Sequence, residues 1–227
     1  MRLRRVLAAA VATALAAPVA VLATSAAPAS AAVATKIVGG TDGKPWIYRS
    51  SYATQPGVPV FGDTLNLSIE VADANGAQVY NGTLTVQQKL AGKKSWKTIK
   101  TSSTAYLFDT IKAKGNATYR VLYSGSGDYS PSGAQGKVKV QRKFDIDTIS
   151  GKRAGLKGKV SPKFKGKIVV LKKQGKKWKK WKTVRTNKKS RFVVYLPAPR
   201  TGRIYWQLKI GSTKAFSTTN SIKYYTY

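Results

Sequence analysis

The sequence predicts an all-β chain built from two consecutive β-sandwich modules, and three observations lead there. Apolar and polar residues alternate along several short runs, the period of a half-buried strand. Turn-forming residues separate those runs at about eight to twelve positions, the spacing of a sandwich or barrel. A diverged repeat with a period near 85 residues then doubles the whole pattern. Beyond the N-terminal segment, no stretch carries a helical period.

Taken in order, residues 1–31 read as a cleaved signal peptide. Arg2, Arg4 and Arg5 form a basic start, an Ala/Val/Leu run extends from Val6 to about Leu22, and Ala29-Ser30-Ala31 is a cleavage site. The apolar run is nearly long enough to serve as an uncleaved anchor. Its alanine content, Pro18 and the cleavage site argue for removal. The expected product is secreted or held at the cell surface. The chain has no cysteine, so an exported fold of this kind rests on its cores alone, which is feasible near 100 residues per module. An Ala-rich signal on a cysteine-free chain suits a bacterial source.

The first module is expected over residues 33–146. Ile37 to Gly40 reads as an opening strand and its turn. Leu65, Leu67, Ile69 and Val71 alternate with Asn66, Ser68 and Glu70, and Ala117, Tyr119, Val121 and Tyr123 alternate with Thr118 and Arg120. Turn chemistry marks Asp73-Ala-Asn75-Gly76, Asn81-Gly82 and Gly125-Ser-Gly127-Asp128. The second module is expected over residues 147–227. There Ile204, Trp206, Leu208 and Ile210 alternate with Tyr205, Gln207 and Lys209. The repeat aligns Gly82-Thr-Leu-Thr-Val86 with Gly166-Lys-Ile-Val-Val170, and Trp96-Lys-Thr-Ile-Lys-Thr101 with Trp181-Lys-Thr-Val-Arg-Thr186. On that alignment Trp181 is the counterpart of the structural Trp96, and Trp178 has none.

These segments resemble a known family. Asn81-Gly-Thr-Leu-Thr-Val86 followed by the run from Ala117 to Ser132 is similar to the bacterial Ig-like repeat, with its "G-T-V-T-F" strand and late "Y-x-G-D-x-x-Y-x-x-S" segment. The likeness covers roughly Pro59 to Arg142, and Ser126-Gly127 departs from the usual spacing. Leu171-Lys-Lys-Gln-Gly-Lys-Lys-Trp178 with Trp181-Lys-Thr-Val184 resembles the basic Ig-like repeats of secreted actinobacterial proteins. The resemblance implies two immunoglobulin-like β-sandwich modules acting as spacers, adhesins or wall-facing domains. Sandwich folds host many functions, so the site must decide.

Composition excludes most chemistry. With no histidine and no cysteine, neither a Ser-His-Asp triad, nor a Cys-His dyad, nor a common zinc site can be assembled. Phosphate-binding glycine signatures are absent. The carboxylates, Asp42, Asp63, Glu70, Asp73, Asp109, Asp128, Asp145 and Asp147, fall mostly in turns or at strand ends, where turn formation and solubility account for them. Asp73 and Asn75 read as hairpin-turn residues rather than calcium ligands. Leu196-Pro-Ala-Pro-Arg-Thr-Gly202 faintly resembles a sortase signal but reads as a turn between strands. No catalytic residue, metal site or cofactor is expected, and the chain is not expected to be an enzyme.

Charge is the remaining signal. The formal net charge is +33. From Val33 to Asp147 there are 15 basic and 8 acidic residues, whereas from Thr148 to Tyr227 there are 23 basic residues and no acid. The stretch that stands out is Lys172, Lys173, Lys176, Lys177, Trp178, Lys179, Lys180, Lys182 and Arg185, in which cations interleave with aromatic rings. That is the composition of a site holding a polyanion and stacking a ring. The plainer reading is a solvated hairpin whose lysines protect a sheet edge. The first reading implies anionic cell-envelope polymers such as teichoic acid or acidic polysaccharide. Non-specific nucleic acid would bind in vitro, sequence-specific DNA would not, and a protein partner bound through sheet edges is the alternative.

Overall fold

The computed structural model describes residues 32–50, 55–151 and 153–227. The signal peptide expected over residues 1–31 lies outside the described residues. Alternation in the sequence becomes alternation in burial: Leu65, Leu67, Ile69 and Val71 are all buried, as are Tyr119, Val121, Tyr123, Trp206, Leu208 and Ile210. The described residues contain strands and no helix.

In the first half the strands are β1 (Thr35–Gly39), β2 (Ile47–Arg49), β3 (Thr64–Asp73), β4 (Gln78–Val79), β5 (Leu84–Leu90), β6 (Lys97–Ser102), β7 (Tyr106–Lys112), β8 (Ala117–Tyr123) and β9 (Ser132–Val138). The second half holds β10 (Lys143–Ile149), β11 (Gly155–Ser161), β12 (Lys167–Gln174), β13 (Lys177–Arg185), β14 (Arg191–Tyr195), β15 (Ile204–Ile210), β16 (Thr219–Asn220) and β17 (Tyr224–Thr226). Every ladder between these strands is antiparallel.

Each half packs two sheets around its own core. In the first, β3 is flanked by β2 and β1 lying end to end on one side, and by β7 and β4 on the other. Facing it is the sheet ordered β6-β5-β8-β9. In the second half, β10-β11-β14 faces β13-β12-β15, with β16 and β17 end to end along the far side of β15. Both halves are therefore three strands wide on one face and four on the other, with β3, β5, β6, β7 and β8 answering to β11, β12, β13, β14 and β15. The inward residues form two separate clusters, one centred on Leu65, Val86 and Tyr119, the other on Val160, Val170 and Trp206. The boundary expected between residues 146 and 147 cuts through β10, whose ladder partner is β11; the change of sandwich falls at Arg142 and Lys143.

The two sandwiches meet through buried polar groups. The loop between β15 and β16 sends Phe216 back into the first core, where it packs edge-on against Phe61 at 6.3 Å. The Arg142 guanidinium lies 4.3 Å from the ring centre of Phe216 and 4.7 Å from that of Phe164. Burial without an acidic neighbour lowers its pKa from the ordinary arginine value. Gln55 donates to the carbonyl of Arg142 and accepts from the Phe144 amide at 2.6 Å. Asn116 accepts from the Val140 amide and donates to the carbonyl of Lys214.

Replacing Arg142 by Ala should cost about 1–3 kcal/mol, since it removes two cation–π contacts and the hydrogen bond to Pro162. Calorimetry should then resolve one thermal transition into two, one for each sandwich. A single unshifted transition would mean that the seam contributes nothing. A second expectation concerns Asp109, which pairs with Lys100 and so ties β7 to β6 across the first sandwich. The Lys100 hydrogen bond and the Thr110 amide hold its pKa below the usual aspartate value. A depressed pKa gives stability present above the unfolded value and lost as pH falls through the folded one. Asp109→Asn should therefore lower the melting temperature at neutral pH, with the difference closing below about pH 4.

Candidate functional site

The basic stretch folds as the β12–β13 hairpin, one edge of the wider sheet of the second sandwich. A two-residue turn joins Gln174 to Lys177, and Gly175 at its first position takes a φ of 56°, a left-handed conformation that costs glycine little. The first half closes the equivalent hairpin with a longer loop, between Gln88 and its partner Lys97. Both hairpins carry a bulge at the same place, after Val86 on β5 and after Val170 on β12.

That shared bulge corrects the repeat alignment. Val86 pairs with Lys100 and Val170 with Lys182, so β13 is shifted by the two residues its shorter turn omits. Trp178, not Trp181, takes the place of Trp96. Trp181 is the residue skipped at the bulge. It turns inward and packs edge-on against Trp206, ring centres 4.9 Å apart, while remaining 38% exposed. Trp206 itself is fully buried, and its indole N–H donates to Thr226 Oγ1 at 3.0 Å. Trp181 therefore supports the core, but for a reason other than the expected equivalence with Trp96.

Strand alternation distributes the nine site residues over more than one surface. Lys173, Trp178, Lys180 and Arg185 lie on the outer face, opposite or beside Leu171 and Lys167 in register. Lys172, Lys177 and Lys179 have the other parity, Lys182 flanks the bulge, and Lys176 occupies the turn. The six residues of β13 and the turn that carry charge, Lys176, Lys177, Lys179, Lys180, Lys182 and Arg185, are all exposed. The facing sheet is one strand narrower, which leaves the inner side of β13 open to solvent as well. The hairpin is thus cationic on both sides, wrapped around an edge strand.

The register also reveals residues that the sequence reading did not include. Lys173 pairs with Trp178 on β13, and on its other side its ammonium lies 5.7 Å from the ring centre of Tyr205. Tyr205 pairs with Tyr225 on β17. One transverse row across four strands therefore reads Trp178, Lys173, Tyr205, Tyr225. Tyr205 is 38% exposed, Tyr225 52% and the adjoining Tyr227 83%. The corresponding row of the first half reads Trp96, Lys89, Thr118, Lys137. There, Lys89 and Arg120 cover the ring of Trp96 at 4.7 and 4.3 Å. No lysine or arginine caps Trp178 in that way among the described residues. The exposed tyrosines at alternate positions were visible in the sequence, but their alignment with Trp178 depends on ladder register.

Two of the carboxylates serve local structure elsewhere. Asp63 Oδ2 accepts from Arg49 Nε at 3.0 Å, from Arg49 Nη2 at 2.7 Å and from the Val60 amide. Asp73 Oδ1 accepts the amides of Asn75 and Ala77 at 2.8 Å each, so it closes the β3–β4 turn. Among the described residues no three acidic groups gather where they could hold a metal ion. Leu196 to Gly202 connects β14 to β15, and Thr226 donates to the Pro197 carbonyl within it.

No protein-family model matches this chain, and no curated protein matches it. The likeness to bacterial Ig-like repeats therefore stands on the residues quoted for it.

Truncating Trp181 to Ala should destabilise the protein by about 1–2 kcal/mol in urea denaturation, because it uncovers Trp206. Trp178→Ala should change stability by less than about 1 kcal/mol. Equal losses at the two positions would show that Trp178 is a packing residue too.

Proposed function

We propose that this is an exported, non-catalytic protein of two Ig-like sandwiches whose basic module associates electrostatically with anionic polymers of the bacterial envelope, such as teichoic acid or acidic polysaccharide. The observation that carries this reading is the arrangement of charge. The second half, from Lys143 onward, has 24 basic residues against two acids, Asp145 and Asp147 on β10, and its densest cluster lies on an exposed hairpin at a sheet edge. A cluster unrelieved by any carboxylate concentrates counter-ions, and a polyanion that displaces them gains their entropy of release. Edge protection accounts for lysines on an edge strand, but not for the basic residues spread over the rest of the module. Export is supported by the basic, apolar and cleavage-site segments within residues 1–31. The Ig-like assignment is supported by the shared three-plus-four strand order of the two halves.

A second reading, an adhesive pair that binds another protein, has its own observation. Among the described residues strand β14 pairs in a ladder only with β11, and its outward Val193 and Tyr195 are exposed. Such an edge could accept an added strand. Binding of that kind would be insensitive to salt.

The two readings separate in a sedimentation assay on purified cell wall and on long DNA. On the electrostatic reading, affinity for both falls by roughly a hundredfold or more between about 50 and 200 mM salt. Changing Lys176, Lys177, Lys179 and Lys180 to Gln should flatten the dependence of log affinity on log salt by about 3 to 4. Absence of binding at low salt would rule out the electrostatic role and leave the protein-binding one.

A further inference from the structure

We infer that the outer face of the β13-β12-β15-β17 sheet is a carbohydrate platform, and that the polyanion it takes is an acidic polysaccharide with charged pyranose rings rather than a ring-free polyphosphate chain. This rests on the polyanion reading above and narrows it to a substrate class.

The row Trp178, Lys173, Tyr205, Tyr225 is the basis. Charge neutralisation alone has no use for solvent-facing aromatic rings, and exposing them carries a hydrophobic cost. Here Tyr205 and Tyr225 lie side by side on neighbouring strands with ring centres 6.3 Å apart, and Tyr227, just past the end of β17, lies 6.1 Å from Tyr225. Cations lie over the rings: Lys173 at 5.7 Å from the centre of Tyr205, and Arg203 at 5.0 Å from that of Tyr225. A uronate-type sugar offers the matching pair of surfaces. Its axial C–H face, weakly positive, stacks on the electron-rich ring, and its carboxylate reaches the neighbouring ammonium or guanidinium. A teichoic or polyphosphate backbone has charge but nothing to lay on the rings.

Two further features fit. The corresponding row of the first sandwich has Thr118 and Lys137 in place of both tyrosines, so the aromatic row belongs to the basic module alone. At the far end, Tyr225 and Tyr227 border a groove whose other wall is formed by Ile149, Gly155 and Leu156 of the facing sheet. Single-stranded nucleic acid also combines rings and charge. Yet the tyrosine planes are inclined to one another by 59° and 38°. A flat base stacked on one ring meets the next at an angle, whereas a puckered sugar follows the change of slope.

The test uses the purified protein and three probes at one fixed salt concentration: polygalacturonate, inorganic polyphosphate and an oligo-dT strand. The double variant Tyr205→Ala/Tyr225→Ala should lose roughly tenfold in affinity for polygalacturonate while binding polyphosphate within about twofold of the unchanged protein. The variant Tyr205→Phe/Tyr225→Phe, which keeps the rings, should retain polygalacturonate binding even if the alanine variant folds poorly. Equal losses on both polymers, or no loss on either, would overturn the platform while leaving the polyanion reading intact. Tighter, ring-dependent binding of oligo-dT would replace the polysaccharide with nucleic acid. Failure of the unchanged protein to bind any of the three would overturn the polyanion reading itself.

Discussion

Much of the molecule hangs on one side chain at the seam between the sandwiches. Arg142 leaves the first half with its guanidinium held between the faces of Phe164 and Phe216, donating to the carbonyl of Pro162, with its Nε left without a partner. Both rings come from the second half, and Phe216 is at the same time part of the first core. A charge so placed is tolerable because the rings replace some of its lost hydration and the guanidinium is weakly hydrated to begin with. Around it, Gln55 accepts from the Phe144 amide, Gln141 accepts from the Asn220 amide and Asn116 donates to the Lys214 carbonyl, each across the seam. These bonds are directional where hydrophobic contact is not. They set the register in which one sandwich follows the other.

Beyond that seam, the basic half has to stay folded against its own charge. It does so by separating the two demands in space. The inward side of β11, β12, β14 and β15 is apolar and closely packed, with Trp206 at its centre and Phe144 meeting Phe192 edge-on at 6.2 Å. Apart from the half-buried Lys172, the lysines of the basic hairpin stand outward or at the edge, where water screens them. Strand β13 is the outermost strand of its sheet and carries five basic residues together with a bulge, two devices that discourage another chain from adding to it. The same features that keep this edge from aggregating also leave a solvated, cationic surface next to exposed rings. Protection of the edge and a binding surface are therefore compatible uses of the same residues.

The comparison of the two halves shows how register governs function in a sheet. A hairpin turn shortened by two residues moved every residue of β13 relative to its counterpart on β6. Trp178 therefore took the outer position of Trp96, while Trp181 fell at the bulge and turned toward the core. The sequence alone suggested the opposite pairing, because Trp-Lys-Thr recurs at both sites. Local identity won on paper; hydrogen-bond pairing decided in space.

Period-two runs such as Leu65 to Val71 and Ile204 to Ile210 determined by themselves that the chain is all-β and which residues make its cores. That pattern is local, and burial follows it directly. Composition likewise determined the polycationic second half and the lack of histidine and cysteine. The tertiary structure alone decided that the lysines of the basic hairpin are divided between two faces, that Arg142 is clamped by Phe164 and Phe216, and that Trp178, Tyr205 and Tyr225 stand in one row. Those facts depend on which residue lies opposite which across strands distant in sequence. Turn length and bulges set that register, and neither has a signature in the alternation of a single strand.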